Sequence, residues 1–387
     1  MQEFTIGPWA KSFPSSSWGL TSAEFLATEP RQSQFSTPLL AIDSAAMESN
    51  ERLMAQWSSS RGLHLAPHGK TTMAPQLWQR VLDAGAWGIT LATGWQVQFA
   101  RSVGIRRILL ANELIDPVLL AWLGKELDDP DFEFVCWVDR VEAVDLMRAG
   151  LASAARPVDV LVEIGAVGGR GGARGVDAAL AVAAAIERAP ELRLAGIGGF
   201  EGSYARERTE HGVVAVSEYL DTIAQAHDRI AWTQRPIVTA GGSAWFDLVA
   251  ERLGALSSVA TVILRSGVYQ LHDDGLYNSV SPLHELRPAL NAFSRVLSTP
   301  EPGFALLDGG RRDFPYDEGL PITESGSITK LNDQHGYLQS STVSVGDVIR
   351  LGISHPCTAF DKWRLIPVVR DATEPDPLVV DVVRTWF

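Results

Sequence analysis

A lysine at the end of an apolar run is the residue of this chain with the clearest chemical potential. Residues 63–67 are mostly apolar and lead into His68, Gly69 and Lys70. In a barrel of alternating strands and helices, catalytic residues gather where a strand gives way to a helix. A lysine amine placed there can form an imine with a carbonyl cofactor, provided that an apolar pocket or a neighbouring cation lowers its pKa. The alternative is a solvated loop lysine, with His68 as a helix cap.

Two glycine-rich stretches follow later apolar runs and are typical of phosphate sites. Gly241, Gly242 and Ser243 come after the seventh such run, and Gly267 comes after the eighth. Barrels commonly bind phosphate at this place, where backbone N–H groups and a helix N-terminus face the anion. Ordinary tight turns are the alternative, but the coincidence with the seventh and eighth runs favours a phosphate site.

A third glycine-rich stretch surrounds a single arginine. Residues 165–172 follow the fifth apolar run and contain Arg170. Glycines on both sides leave the backbone free to bring the guanidinium close to a ligand oxygen. The stretch therefore predicts a ligand contact by Arg170, with a solvated surface arginine as the alternative.

The tripeptide His355-Pro356-Cys357 is the most specific local signal for a metal ion. Proline pushes the preceding residue toward an extended conformation, and side chains two positions apart on an extended chain share a face. An imidazole nitrogen and a thiolate are a ligand pair suited to zinc. Two protein ligands are fewer than the usual three of a catalytic zinc, so a third protein ligand, waters or a substrate oxygen would complete the shell. A buried cysteine beside a structural histidine is the alternative.

The elements that would position these groups alternate regularly along the chain. Eight short β-branched runs, each ending in a turn residue, are followed by helix-like stretches such as 94–103, 140–149, 176–189, 211–230 and 244–253. Eight strand-then-helix units predict a closed parallel (β/α)8 barrel of the TIM type rather than an open sheet. The predicted strands are residues 63–67, 88–92, 107–111, 132–138, 158–164, 192–197, 236–240 and 259–264.

The pattern changes after Leu271. Prolines and glycines cluster, and alternating runs appear at 305–307, 328–331, 343–353 and 363–369, which is typical of an antiparallel β domain. The α/β fold that we predict has three parts. They are an N-terminal segment (1–35) packing on the β domain, the barrel (36–271) and a C-terminal β domain with the metal site (272–387).

Composition narrows the class of protein. The 387 residues carry 33 basic and 46 acidic side chains, a net charge of −13 without long runs of one sign. This argues against a nucleic-acid partner and favours an enzyme acting on a small molecule. Two cysteines suit a reducing compartment. Neither a signal-like start nor a run of the roughly 20 apolar residues that span a bilayer is evident, so we expect a cytoplasmic protein without a membrane partner.

Together, Pro67-His68-Gly69-Lys70-Thr71, the barrel, the β domain and His355-Pro356-Cys357 resemble the D-serine dehydratase and D-threonine aldolase family. Members are fold-type III pyridoxal-phosphate enzymes with an alanine-racemase-like barrel. The likeness covers roughly residues 35 to 370. The lysine motif belongs to the broad group, whereas the His-x-Cys pair is more similar to the dehydratase branch, since aldolases more often show His-x-Asp there. The resemblance does not extend to the N-terminal segment with Trp9 and Trp18.

The resemblance implies a role for each candidate residue. Lys70 would hold pyridoxal 5'-phosphate as an imine, and Arg170 would hydrogen-bond the phenolic oxygen of the cofactor. Arg265 would face the pyridine nitrogen. The ligands of a divalent metal, expected to be Zn²⁺, would be His355 and Cys357. The phosphate contacts would come from Gly241, Gly242, Ser243 and Gly267.

The resemblance also implies a reaction. The freed Lys70 amine would remove the α-proton of a small D-amino acid, and the metal would help the β-hydroxyl to leave, giving a keto acid and ammonia. D-serine, D-threonine and a 3-hydroxyaspartate are all plausible substrates. Three alternatives stay open: retro-aldol cleavage to glycine and an aldehyde; racemisation, with Tyr316 or Tyr337 as the opposing base; and a non-enzymatic cofactor carrier, which would lack the C-terminal domain. Relatives of this fold pair as dimers, so we expect a homodimer.

Overall fold

The computed structural model describes residues 3–205 and 207–387. The chain divides into two compact units. The barrel unit consists of Ala55–Lys70 and Val81–Gly267, and the sheet unit consists of the residues up to Met54, Thr71–Arg80 and Val268–Phe387.

Strands and helices are numbered along the chain. The strands are β1 (Leu39–Asp43), β2 (His64–Leu65), β3 (Ile89–Leu91), β4 (Arg107–Glu113), β5 (Glu133–Val138), β6 (Val158–Ile164), β7 (Leu192–Gly199), β8 (Ile237–Ala240), β9 (Thr261–Leu264), β10 (Leu290–Glu301), β11 (Phe304–Leu307), β12 (Ser327–Leu331), β13 (Gly336–Gln339), β14 (Val348–Gly352), β15 (Leu365–Val369) and β16 (Val379–Arg384). The helices are α1 (Ser22–Leu26), α2 (Ser44–Ser59), α3 (Pro75–Asp83), α4 (Gly94–Ser102), α5 (Pro117–Glu126), α6 (Val141–Leu151), α7 (Val176–Glu187), α8 (Glu210–Arg229), α9 (Phe246–Leu253) and α10 (Leu276–Val280).

The barrel unit contains a parallel sheet in the order β2-β9-β8-β7-β6-β5-β4-β3, with helices α4 to α9 alternating with β3 to β9. The two outermost strands of this order meet through backbone hydrogen bonds. The Trp87 N–H donates to the Leu65 carbonyl at 2.6 Å, and the Thr90 N–H donates to the Pro67 carbonyl at 2.9 Å. A parallel bridge between His68 and Thr90 continues the contact. The predicted eight-stranded barrel is confirmed.

The barrel interior follows from strand alternation. Leu109, Val135, Trp137 and Leu161 form one buried cluster together with Ala195. Because successive side chains on a strand point to opposite faces, residues two positions further along the same strands also face inward. On β6 the position two after Leu161 is Glu163, and two after Trp137 comes Asp139, directly after β5. On β4 the next inward position after Leu109 is Ala111, and the acidic Glu113 lies two positions beyond it. Acidic side chains therefore follow the apolar layer at the ends of these three strands.

The sheet unit is built around β1, which has neighbours on both sides. Its sheet runs β12-β13-β11-β10-β1-β15-β16, and β14 pairs with β10. β1 is antiparallel to β10 and parallel to β15, and all five of its residues are buried. The domain boundary that we expected at residue 36 differs from this division. A strand apolar on both faces needs cover on both faces, and β10 and β15 lie in the C-terminal part of the chain.

The N-terminal segment packs on one face of this sheet. Phe4, Ile6, Phe13, Phe25 and Phe35 share a buried cluster with side chains of β1, β15 and β16. The rings of Phe13 and Phe35 meet edge to face, with centroids 5.0 Å apart. Burying each such side chain contributes roughly 1.5–3 kcal/mol, so this aromatic cluster is a substantial part of the sheet unit's core. The outer surface of the segment carries Trp9 and Trp18, which are exposed.

Across the described residues, the structure has no helix combining the length and apolar character that a membrane span requires.

Candidate active site

Lys70 lies where the first barrel strand has ended. The chain leaves β2, passes His68 and forms a short 3-10 turn over Gly69–Thr71, in which Lys70 is exposed. The backbone of Gly267 approaches His68 so closely that a Cβ on Gly267 would lie 2.6 Å from the His68 nitrogen. Glycine is therefore required at position 267 for this contact, which brings the segment after β9 beside the lysine-bearing segment.

His68 is kept neutral by its surroundings. Burial lowers the pKa of His68 well below its usual value, and the positive charges of Lys70, Arg265 and Arg170 lower it further. Its Nδ1 atom is buried without a hydrogen-bond partner among the described residues. A neutral imidazole in a cluster of three cations can accept or donate a hydrogen bond without adding charge.

Arg265 is the most deeply buried of the three cations that act on His68. It is 2% exposed, and its Nη1 and Nη2 atoms donate to Thr239 Oγ1 at 2.7 Å and to the Gly199 carbonyl at 2.6 Å. Its Cζ atom lies 4.9 Å from the centroid of the Trp137 ring. Burial lowers the pKa of Arg265, whereas the nearby Glu201 raises it. The guanidinium is thus rigidly oriented, while its Nε atom has no partner among the described atoms.

The Gly241-Gly242 turn is hydrogen-bonded to a carboxylate in this structure. Glu201 is fully buried, and its carboxylate accepts hydrogen bonds from the Gly241 N–H at 3.1 Å and from the Gly242 N–H. We predicted that both amides face a phosphate; here they donate to Glu201, and the phosphate role of Gly241 and Gly242 stays a prediction. Ser243 and Gly267 are the other predicted phosphate contacts, and both remain so.

Arg170 is exposed in the glycine-rich stretch after β6. Its guanidinium stacks on Phe200, with Cζ 4.7 Å from the ring centroid, and it contributes to the electrostatic environment of His68. The structure therefore brings Arg170, Lys70 and Arg265 into one positively charged group around His68. The sequence had placed these three residues on separate strand ends.

The barrel residues fit a pyridoxal-type cofactor. His68 Nδ1, Trp137 Nε1 and Arg265 Nε are buried nitrogen atoms without a hydrogen-bond partner within the described part of the chain. Leaving a buried donor unpaired costs about 1–3 kcal/mol. A planar ligand with a ring nitrogen, a phenolic oxygen and a phosphate would supply acceptors, and the surrounding cations suit its negative charge.

The sheet unit holds the second group of candidate residues. His355 precedes a short 3-10 turn over Pro356–Thr358 that contains Cys357. The His355 Nδ1 atom is 2.8 Å from Asp317 Oδ2, and Thr358 Oγ1 donates to Asp317 Oδ1 at 2.7 Å. Burial opposes the charged form of His355, but Cys357 and Asp317 raise its pKa to about 9. A carboxylate on one ring nitrogen leaves Nε2 as the atom that can bind a metal, an arrangement common to metal-ligating histidines.

Cys357 has a close hydroxyl neighbour. Its Sγ atom lies 3.2 Å from Thr71 Oγ1, and Thr71 directly follows Lys70 in the chain. Tyr277 packs near His355 with ring centroids 5.9 Å apart, and burial followed by the charge of Cys357 raises the pKa of Tyr277. The donor set is nitrogen plus sulfur, which fits a borderline metal such as zinc. His355 and Cys357 are not part of a group of three candidate metal ligands within the described residues.

The two tyrosines suggested for a racemase lie elsewhere. Tyr316 is 48% exposed beside Arg311, with which it lines a cavity of about 470 Å³. The hydroxyl of Tyr337, on β13, accepts a hydrogen bond from Asn332 at 3.1 Å. Tyr277, which no sequence pattern singled out, is the tyrosine beside the His355 ring.

Several residues of both groups escaped the sequence analysis. Asp317 lies in a loop and Tyr277 in the five-residue helix α10, neither with a periodic pattern, and only the folded chain brings them to His355. Glu201 lies in a short turn after β7 and gave no motif. A signal was present for Glu163, because a carboxylate inside the otherwise apolar end of β6 is unusual.

The fold and these groups define a class of protein: an alanine-racemase-like barrel with a lysine after its first strand, accompanied by a β-sheet unit with a histidine–cysteine pair. Residues 42–252 match the family model described as alanine racemase, N-terminal domain, and residues 289–369 match the one described as putative serine dehydratase domain. The first match spans more than half of the chain, and the chain belongs to this alanine-racemase-like family. The predicted family is thereby confirmed.

Curated relatives lie in the same family. A D-threonine aldolase from Arthrobacter sp. is 29% identical over 88% of this chain and 90% of its own length. A D-threo-3-hydroxyaspartate dehydratase from Delftia sp. is 28% identical over 78% of this chain and 83% of its own length. Both relatives are lyases, and the predicted lyase class is confirmed.

Solved structures agree on the fold. The D-threonine aldolase from Filomicrobium marinum superposes with a TM-score of 0.80 at 23% identity, covering 92% of this chain and 96% of that one. The Delftia dehydratase gives a TM-score of 0.77 at 22% identity, covering 91% and 97%. The barrel with an additional antiparallel sheet is therefore the shared architecture.

Proposed function

We propose that this lyase is a pyridoxal-phosphate- and metal-dependent dehydratase of D-serine or a related β-hydroxy D-amino acid, which gives a keto acid and ammonia. The observation that carries the proposal is the His355–Cys357 pair with Asp317 on the imidazole. A soft thiolate and an oriented imidazole suit a metal that acts on an oxygen leaving group.

Lys70 would hold the cofactor and serve as the general base. Once the substrate has taken its place on the cofactor, the freed Lys70 amine would take the α-proton of the substrate at its nitrogen. The bound cofactor would supply an electron sink for the charge left on Cα. Ser243 and Gly267 would hold the phosphate, and Gly241 and Gly242 would join them only if the Glu201 carboxylate moved.

The cations around His68 would orient the cofactor. Arg170 would hydrogen-bond the phenolic oxygen after leaving the Phe200 ring, and Arg265 would face the ring nitrogen. A permanently charged guanidinium at that nitrogen keeps the nitrogen unprotonated, which weakens the electron sink. Departure of the β-hydroxyl then needs help from another group.

His355 and Cys357 would hold a divalent metal, for which we propose zinc. The metal would supply a Lewis acid for the β-hydroxyl. In the balanced reaction the Cα–H and Cβ–O bonds break, a Cα–Cβ double bond forms and water leaves. The released enamine is then hydrolysed to the keto acid and ammonia. Among solved structures with this fold, one of a D-threo-3-hydroxyaspartate dehydratase is a cysteine-to-alanine variant described as the metal-free form, and another of such a dehydratase replaces a histidine two positions earlier.

Retro-aldol cleavage is the second candidate, because the Arthrobacter relative is a D-threonine aldolase. In that reaction the β-hydroxyl loses its proton and the Cα–Cβ bond breaks. The His-x-Cys motif favours dehydration, since the aldolases of the family that this chain resembles more often carry His-x-Asp. We also propose a homodimer in the cytoplasm.

Product analysis separates these reactions. The protein loaded with cofactor and zinc is incubated with D-serine, D-threonine and 3-hydroxy-D-aspartate, and keto acid, ammonia, glycine and aldehyde are measured. We expect keto acid and ammonia in equal amounts. Glycine and aldehyde as the main products would replace the proposal with an aldolase.

The same assay after treatment with a chelator tests the metal. Dehydration should stop and return when zinc is added back. If chelation left the rate unchanged, His355 and Cys357 would not be metal ligands in the reaction, whereas the proposed role of Lys70 would still stand. L-serine serves as the stereochemical control.

A further inference from the structure

A cluster of three carboxylates in the barrel unit is not used by the proposed reaction. Glu113 ends β4, Asp139 directly follows β5, and Glu163 lies in β6. One carboxylate oxygen from each residue lies within 4.8 Å of the other two. Three points so spaced share a centre at most about 2.8 Å from each, which is close to the 2.3–2.6 Å of calcium–oxygen bonds.

A separate observation comes from hydrogen bonding. Glu163 is only 6% exposed, and its Oε2 atom has no hydrogen-bond partner among the described residues. Glu113 Oε1 is likewise buried and unsatisfied in the described part of the chain. Native proteins rarely leave buried polar atoms unpaired, and an unobserved ion is one of the usual reasons.

The two unsatisfied oxygens converge on one point. A Cβ built on Gly171 would lie 2.8 Å from Glu163 Oε2 and 3.1 Å from Glu113 Oε1. Asp139 faces the same stretch of chain, since its Oδ2 atom accepts the Gly172 N–H at 3.1 Å. Glycine at position 171 therefore leaves open the space toward which the carboxylates point.

The negative charge of the cluster is poorly compensated by the protein. Arg140 is 3.3 Å from Asp139, but its side chain is 65% exposed. No cation of the described residues lies at ion-pair distance from Glu113 or Glu163, although the charge of Arg265 acts on Glu163 and opposes the rise of its pKa. Burial and the neighbouring Glu113 raise the pKa of Glu163 to about 9, so one proton can be held between these two residues in the absence of a cation. That proton still leaves two carboxylates in a largely buried site.

We propose that Glu113, Asp139 and Glu163 bind a divalent cation that prefers oxygen ligands, of the size of Ca²⁺ or Mn²⁺. This site shares no ligand with the His355–Cys357 pair. Its chemistry is also different, because three carboxylates select hard cations, whereas nitrogen and sulfur select zinc. Waters or backbone oxygens would complete the shell.

The cation would have a structural consequence for the glycine-rich stretch. Gly171 and Gly172 contact the three carboxylates, and Arg170 is their immediate neighbour in sequence. A bound cation would hold the carboxylates in place and so fix the backbone that carries Arg170. This consequence does not depend on which reaction the protein catalyses.

Calcium titration of the full chain, stripped of metal with a chelator, tests the proposal. Calorimetry should show one Ca²⁺ per chain in wild type and also in the His355→Ala/Cys357→Ala double variant. Mn²⁺ should bind at the same stoichiometry by electron paramagnetic resonance. Glu163→Gln should weaken Ca²⁺ binding at least about 10-fold, as expected for loss of a charged ligand. Glu133→Gln, at the opposite end of β5, is the control and should bind as wild type does.

A second variant keeps the proposal testable if Glu163→Gln fails to fold. Gly171→Ala retains every charge but places a methyl group between the unsatisfied oxygens, so it should reduce Ca²⁺ affinity to a similar extent. Gly254→Ala, where a Cβ would meet nothing within 4 Å, is its control. If the metal-stripped wild type bound neither Ca²⁺ nor Mn²⁺, the carboxylates would share only a proton and the proposal would be overturned. Binding that is unaffected by both Glu163→Gln and Gly171→Ala would also overturn it.

Discussion

The barrel unit and the sheet unit hold their candidate functional groups by different means. In the barrel unit, Arg265, Glu163 and Glu201 are buried ionisable side chains on strands or shortly after them, each oriented by backbone or by neighbouring ionisable groups. In the sheet unit, His355 and Cys357 lie in a short turn between β14 and β15 and are oriented by side chains from other loops.

This difference has a consequence for what each region can tolerate. A charge buried on a barrel strand depends on the low polarity around it, so its protonation and its stability effect are coupled. A ligand in a turn depends on a few hydrogen bonds, so loss of one partner should weaken metal binding without disturbing the fold. The following predictions test that contrast, from the largest expected effect to the smallest.

Lys70→Ala should remove the imine absorbance of the cofactor and lower activity by about 10²–10⁴-fold, the range typical of a general base. The variant should keep its melting temperature, because Lys70 is exposed. Absorbance spectra, the product assay and thermal melting measure these effects. Lys125→Ala, in the last turn of α5, is the control. An undiminished imine band would show that another lysine carries the cofactor.

Cys357→Ala should lower zinc affinity by more than about 100-fold, because it removes one of the two proposed protein ligands, whereas loss of an outer partner costs 10–100-fold. Competition with a chromogenic chelator measures the affinity. Cys136→Ala is the matched control, since Cys136 is the other free cysteine and is buried in β5. Equal zinc affinity in the Cys357 variant and wild type would place the metal elsewhere.

Asp317→Asn should lower zinc affinity by about 10–100-fold, since Asp317 holds the His355 ring through Nδ1. Thermal stability should change little, because Asp317 is part of an exposed loop. Asp361→Asn, in a nearby exposed turn, is the control. If Asp317→Asn destabilised the fold while leaving zinc affinity intact, the turn would be a structural feature rather than a ligand support.

Glu163 should make stability depend on pH. Its folded-state pKa of about 9 lies above the ordinary value of 4.5. Between these two pH values, Glu163 is therefore protonated in the folded protein and ionised in the unfolded chain. The free energy of unfolding should therefore fall as pH rises from about 5 to 9. Measured with a chelator present, the melting temperature of wild type should drop by at least about 2 °C relative to Glu163→Gln between pH 7 and pH 9. Parallel pH profiles for the two proteins would contradict this.

The barrel was largely predictable because its strands are short, apolar and regularly spaced. All eight predicted strands correspond to β2–β9; β6 (Val158–Ile164) has both of its predicted ends, and several others share one end. Local patterns suffice where each strand pairs with its neighbours in sequence. The sheet unit was less predictable for the opposite reason. β10 was missed although it is 12 residues long, and β1 was assigned to the barrel although it pairs with strands some 250 and 320 residues away.

The sequence by itself determined the strand-and-helix order of the barrel, the candidate lysine after its first strand and the His-x-Cys motif, because each depends on residues adjacent in the chain. Only the tertiary structure decided which distant side chains act on them. It placed Asp317 on His355, Glu201 on the Gly241-Gly242 amides and three carboxylates around Gly171. Such contacts arise where separate strands and loops end side by side, and no local pattern encodes that proximity.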